Sequence, residues 1–264
     1  IVSTESTEHN SPTPSFELSA DHRQIADAAD DFARNELYPL SQRMDDEEWW
    51  PDGLFEKIGA LGYLGITVPP EYGGAGLDFF ASGLVTQSFA RWNHAVALSF
   101  VAHENLCLNN IYRNGNHEQR LRYLPDLCSG KSAGALGLTE PGAGSDALGS
   151  MRTTARREGD EYILNGAKMF ITNGPIADVL LVYAKTAPEL GAKGISAFIV
   201  EKDFPGFAVA KKLTKMGYRG SLTAELVFDE CRVPAENLVG KENEGVAVVM
   251  SGLDLERAIV APIC

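Results

Sequence analysis

Hydrophobic positions recur at helical spacing through the first half of the chain and give way, near the middle, to short apolar runs punctuated by turn residues. Ser19 opens the first periodic stretch as an N-cap residue; Ile25, Ala28, Ala29 and Phe32 follow at helical spacing, and Pro39 limits or kinks the segment. Leu54, Ile58 and Leu61 form a second short stripe, and Pro69 to Gly76 breaks into a loop of prolines and glycines. Residues 77–92 and 94–112 are apolar nearly all round, which predicts helices held in a core or an interface, and 118–127 gives a fifth helix.

After Gly130 the texture changes. Val179 to Tyr183, Ile195 to Val200 and Glu225 to Phe228 read as strands, with Arg157-Glu158-Gly159-Asp160 as a hairpin turn. Strands at near-regular spacing without intervening helical patterns predict an antiparallel β-barrel or sandwich. From Glu242 the pattern is helical and highly apolar until Pro262, where that helix is cut short. The expected fold is α+β: a disordered leader at 1–15, an all-α domain at 16–129, a β-domain at 130–240, and a further helix at 241–264.

Composition narrows the functions. The 264 residues carry 23 Lys+Arg against 36 Asp+Glu, a formal charge of −13, and lack a basic run to offset it, which excludes general nucleic-acid binding. Cys107, Cys128, Cys231 and Cys264 are too scattered for a disulfide framework or a zinc site, so a reducing compartment is expected. A charge-free apolar stretch of roughly 18 residues is missing, as is the order of a secretion signal, so neither a membrane span nor secretion is expected. Beginning with Ile1, the chain reads as a processed product or a piece of a longer one.

Three motif matches fail on context. Gly142 to Ala147 fits a loose G-x-G-x-x-A but lacks the strand–helix frame of a dinucleotide site, and Gly130-Lys131-Ser132 ends like a P-loop, but Pro125 stands where the upstream glycine is required. His103-Glu104 opens like a zinc helix, yet Cys107 occupies the second ligand position and a third ligand is missing; a satisfied core or interface histidine is expected instead.

Three segments carry candidate chemistry. In Gly137 to Gly149, close glycines let backbone N–H groups approach a ligand while Thr139 and Ser145 add hydroxyls; equally, the segment could cap a barrel. In Asn165 to Gly174, Phe170 and Thr172 lie two apart, so that a ring could stack on one and hydrogen-bond the other; an ordinary strand with a core Phe is the alternative. In the last helix Asp254, Glu256 and Arg257 are the only charges after Val246, and Glu256 shares a face with Val249, Gly252, Leu253, Val260 and Ile263. Burial there would raise the proton affinity of Glu256, as a carbon-acid base requires; the alternative is a structural ion pair among the three charges.

In this order and at these separations the three segments resemble the acyl-CoA dehydrogenase family, whose signature loop Gly137 to Gly149 matches. Met216 to Ser221 and Glu225 to Pro234 look like further family stretches. Asn105 to Cys107, Arg113 to Asn116, Tyr123 to Pro125 and Met250 to Arg257 are most similar to its isovaleryl-CoA branch. The resemblance implies an N-terminal helical domain, a middle β-domain and the start of a truncated C-terminal helical domain. It implies FAD as cofactor, lined by Leu136, Leu138, Thr139, Gly144 and Ser145, with Phe170, Ile171 and Thr172 along the ring and Ser145 also near the pantetheine arm. It places Lys193 on the CoA moiety, Asp254 and Arg257 in the CoA-binding catalytic region, and Glu256 as the base. Phe170 departs from the tryptophan common there, and Ala247 from a tyrosine found in isovaleryl relatives.

The implied reaction is α,β-dehydrogenation of a short or branched acyl-CoA, with electron-transfer flavoprotein as acceptor, in a homotetramer of the bacterial cytoplasm or mitochondrial matrix. The rivals are a non-catalytic FAD or acyl-CoA binding subunit that needs a partner, and an acyl-CoA oxidase on the same fold.

Overall fold

The computed structural model describes residues 17–264; the expected leader at 1–15 lies outside them. Ser19 caps α1 (Ala20–Phe32), its hydroxyl accepting the His22 N–H at 3.1 Å. Pro39 does not end the segment. The helix widens into a π turn at Ala33–Leu37, where the Tyr38 N–H reaches back to Ala33 O, and resumes as α2 (Tyr38–Glu47) with Pro39 in its first turn, where a missing N–H costs least. Next, α3 (Leu54–Ala60) buries Leu54 and Ile58, whereas Leu61 falls past its end and is half exposed.

The apolar middle forms α4 (Phe79–Trp92), α5 (His94–Val101) and α6 (Asn109–Asn114), the last two joined through a π segment at Ala102–Leu108. This rod is packed on several sides, which explains its nearly continuous hydrophobicity. The fifth predicted helix is α7 (His117–Ser129), opened by a capping box between Asn116 and Gln119; Pro125 lies exposed inside it and forfeits the N–H bond to the Leu121 carbonyl.

The β-domain contains β1 (Gly134–Gly137), β2 (Thr154–Glu158), β3 (Glu161–Thr172), β4 (Val179–Lys185), β5 (Ile195–Glu201), β6 (Phe207–Lys212), β7 (Thr223–Pro234) and β8 (Leu238–Val239). The expected turn at Gly159 joins β2 to β3 as a hairpin. Strand order is β6-β7-β3-β2-β4-β5-β8, an open path, so the domain takes the sandwich rather than the barrel form. It departs from purely antiparallel pairing at β4, which runs parallel to β1 and, at one residue pair, to β2. Both faces of β4 are buried. Val179, Leu181 and Tyr183 join a cluster with α6 and α7, while Leu180, Val182 and Ala184 face Leu164, Leu226 and Phe228 of β3 and β7.

The chain returns to the helices as α8 (Gly245–Val260), packed on α5, α6 and β5. Gly252 makes the approach to α6 possible: a Cβ there would lie 2.3 Å from Asn110 Nδ2. One turn away Asn114 Nδ2 donates to Ser251 Oγ at 3.0 Å. Among the described residues, no helix is long and apolar enough to cross a membrane.

Candidate functional site

The loop after β1 is held to β3 at its first arm. Met169 N–H donates to Thr139 O at 2.9 Å, and Lys168 Nζ donates to Leu138 O at 3.1 Å and to Glu140 Oε1 at 2.8 Å. The loop then turns through a bridge between Glu140 and Ala143 without entering a helix, which disposes of the dinucleotide-site reading. Leu136, Leu138 and Thr139 are half-buried; Gly144 and Ser145 are exposed, and Gly142 and Gly144 stand in open space. A ligand can therefore reach this backbone closely.

Strand β3 is broken in register between Lys168 and Ile171. The bulge puts Phe170 at φ +61°, a backbone region costly for an aromatic residue, and leaves its side chain 66% exposed. Phe170 is thus not the ordinary core Phe of the alternative reading, and Thr172 beside it is half-buried. The Ile171 side chain is buried in the β-domain core, so what it offers a ligand is its backbone.

On α8, Glu256 lies where the helix passes between two apolar clusters. Val248, Val249 and Leu253 belong with Leu136 and Leu138 in one, while Ile259 and Ile263 belong to that of the N-terminal helices. The predicted stripe is corrected at one position: Ile259 is buried and Val260 is exposed. Burial raises the proton affinity of the Glu256 carboxyl above the usual glutamate value, with Arg257 pulling the other way. Asp254 and Arg257, both exposed, pair with each other at 3.6 Å, and no hydrogen bond or ion pair engages Glu256 among the described residues. The three-charge cluster is therefore a surface pair plus one unpartnered acid.

Lys193 is exposed on the turn at Pro188–Gly194 between β4 and β5, a turn that packs against α8. The hydrogen bonds thus bring the loop and the β3 bulge together, and the shared cluster brings Leu136 and Leu138 to α8; no hydrogen bond or ion pair links Glu256 to Ser145 or Phe170. His103 is the satisfied core histidine expected: Nε2 lies 3.0 Å from Leu127 O, and Nδ1 accepts the Gly134 N–H at 2.9 Å. Burial holds that imidazole neutral, down to about 4, and no metal cluster occurs among the described residues.

Sequence reasoning missed two buried polar residues that assemble this region. Lys168, fully buried, pairs with Glu140; Asn173, also buried and at φ +64°, donates to Ser99 O at 2.9 Å and Gly134 O at 3.1 Å, tying α5 to β1. A lysine in an apolar strand and an asparagine beside a glycine were the available signals. Chemically, the arrangement offers an exposed aromatic with neighbouring hydroxyls and open glycine backbone for a planar, polar ligand, and one carboxylate primed to accept a proton.

Comparison with known proteins follows the same division of the chain. A family model described as acyl-CoA dehydrogenase, N-terminal domain, matches residues 19–131, and one described as acyl-CoA dehydrogenase, middle domain, matches 135–231. The chain is 50% identical over 248 residues to the mitochondrial isovaleryl-CoA dehydrogenase of Pongo abelii, covering 92% of this chain and 58% of that one. Butyryl-CoA dehydrogenase from Megasphaera elsdenii superposes with a TM-score of 0.91 at 38% identity, over 95% of this chain and 66% of that one. A glutaryl-CoA dehydrogenase from Mycobacterium smegmatis, solved in complex with FADH2, superposes with a TM-score of 0.86 at 35% identity, over 93% and 61%. The chain thus spans less than two thirds of the length of each of these relatives.

Proposed function

The chain belongs to the acyl-CoA dehydrogenase family, and we propose that it serves FAD-dependent α,β-dehydrogenation of short or branched-chain acyl-CoA thioesters, with isovaleryl-CoA as the model substrate. The observation that carries this reading is Glu256: a half-buried, unpartnered glutamate on an apolar helix face, its proton affinity raised by burial. A thioester α-C–H is a very weak acid, and a carboxylate left without hydrogen-bond donors and partly desolvated is a stronger base toward it than one in water.

The residues fit the cofactor. Phe170 presents an exposed ring at a strained bulge, Gly142 and Gly144 leave the loop backbone open, and Thr139, Ser145 and Thr172 supply hydroxyls. Leu136, Leu138, Thr139, Gly144, Ser145, Phe170 and Thr172 would hold FAD, with Ile171 contributing backbone alone. FAD supplies, when bound, the acceptor for the hydride that leaves the substrate β-carbon. Glu256 takes the α-proton, and the apolar side chains of α8 shield its carboxylate in part from water. Lys193 is a free-standing cation suited to a CoA phosphate, Ser145 contacts the pantetheine arm, and the Asp254–Arg257 pair flanks the base on the CoA-binding side.

The same family membership supports electron-transfer flavoprotein as the electron acceptor and a homotetramer as the assembly. The compartment follows the source: mitochondrial matrix in a eukaryote, cytoplasm in a bacterium. The test is the visible spectrum of the intact native protein with a panel of straight and branched acyl-CoAs under anaerobic conditions. Yellow protein bleached preferentially by isovaleryl-CoA or another short branched substrate is expected. Colourless protein that takes up no FAD contradicts the cofactor; bleaching only by long straight chains contradicts the substrate class.

A further inference from the structure

The loop Gly137 to Gly149 and the β3 bulge are joined through a buried ionic node at Glu140 and Lys168. Glu140 stands at the entrance of the loop, and its carboxylate reaches the exit: Oε2 accepts the Arg152 N–H at 2.7 Å, while Oε1 accepts the Thr153 N–H at 3.0 Å and the Thr153 hydroxyl at 2.5 Å. Lys168 Nζ closes the node on Oε1 at 2.8 Å and extends it to Leu138 O. The next residue, Met169, bonds Thr139 O through its N–H, and the one after that is Phe170 at its positive φ. Gly166 makes room for Thr153 behind the strand; a Cβ there would lie 2.6 Å from Thr153 Oγ1, and φ is +149°.

Burial pulls the Lys168 ammonium down to about 8. Burial alone would raise Glu140, but the ammonium and the hydrogen bonds outweigh it and hold that carboxyl below its usual range. Both partners are thus charged at neutral pH. An apolar pair of similar volume in such a place is often as stable as a buried ion pair, so stability does not account for this one; a charged node with fixed geometry specifies position.

We propose that Glu140 and Lys168 are positioning residues that lock the loop arm Leu138–Glu140 against the Met169–Phe170 bulge, and so set the spacing between the two segments that grip the flavin. This rests on the FAD reading given above. Neither residue needs to touch the cofactor. Their effect travels through Thr139, which adjoins Glu140, and through Phe170, two residues after Lys168 at the bulge.

The experiment compares the intact native protein with Glu140→Gln and with the double variant Glu140→Gln/Lys168→Met, which removes both charges and leaves no buried ion unpaired. Three quantities are read: thermal midpoint, FAD dissociation constant by flavin fluorescence quenching, and hydrogen exchange of the Met169 amide before FAD is added. The double variant is expected to keep a midpoint close to the parent's, yet to lose about tenfold in FAD affinity, the equivalent of roughly 1.4 kcal/mol, and to exchange Met169 faster. Glu140→Gln, which leaves the Lys168 ammonium buried without its counter-charge, is expected to lower the midpoint below that of the double variant and to lose FAD affinity as well. Unchanged FAD affinity and unchanged Met169 protection in either folded variant overturn the proposal. Failure of both variants to fold overturns it as well, because the pair would then sustain the fold and not the loop's position. A parent protein that takes up no FAD sinks the flavin reading instead, and Met169 exchange still decides whether the node locks the arm.

Discussion

Glu104 and Glu256 sit on helical segments that pack together, and burial raises the proton affinity of both, yet the two acids stand in different surroundings. Glu104, in the π segment between α5 and α6, is fully enclosed, and its oxygens accept the N–H groups of Gly65 at 2.7 Å and Ile66 at 2.9 Å. It organises a loop that has no regular structure to satisfy those donors. Glu256, on α8, is only half-buried and engages no donor. Burial with partners makes a structural acid; partial burial without them leaves an acid free to exchange a proton, as the proposed base must be. A raised pKa alone does not tell them apart, and the hydrogen-bond inventory does.

The sharpest way to break this comparison is through stability. Glu104→Ala strands two buried N–H groups and opens a cavity, so it should cost about 3 kcal/mol or more in denaturant unfolding, whereas Glu256→Gln should cost less than about 1 kcal/mol. A small loss for Glu104→Ala would erase the distinction. The pH dependence sharpens it. Glu104 is raised to about 7 from 4.5, so in the unfolded chain it gives up its proton first, and its contribution to stability is full below 4.5 and declines as pH rises to about 7. The cost of Glu104→Ala should therefore be larger at pH 5 than at pH 8, by about 2 kcal/mol. Equal costs at the two pH values would show that the carboxyl is not held in its protonated form by the fold.

The smallest effect concerns the neighbour of Glu256. Arg257 lowers the pKa of the Glu256 carboxyl against the larger influence of burial, and it is exposed. Since the proposed base must be ionised to act, activity should fall on the acid side above the ordinary glutamate pKa of 4.5. Replacing Arg257 by Ala should move that limb of the kcat/KM profile to higher pH, and less so at high salt, where exposed charges are screened. Movement toward lower pH would mean that Arg257 acts on the profile through substrate binding and not through the base.

Local chemistry was legible in the residues: the Ser19 cap, the Gly159 turn, the helices at 77–112 and the acid on an apolar stripe all follow from side chains acting within one or two turns. What depended on distant partners was not. The π turn before Pro39 and the parallel pairing of β1 with β4 are settled by packing across the molecule. Val260 and Ile259 are equally apolar, and only the phase of α8 against α4 decides which is buried. At the site, Phe170 and Thr172 could be picked out two apart, but the bulge that exposes Phe170 arises from register against β7. Lys168 and Glu140, separated by 28 residues, become one feature only when the loop folds onto the strand.

The central claim is that Glu256 is the base. It is tested most directly by replacing it with Gln in the intact, FAD-loaded protein, a change that keeps size and polarity, and following flavin absorbance after adding isovaleryl-CoA without oxygen. The account predicts that the flavin stays oxidised while acyl-CoA still binds. Bleaching at the parent's rate would show that another group removes the α-proton.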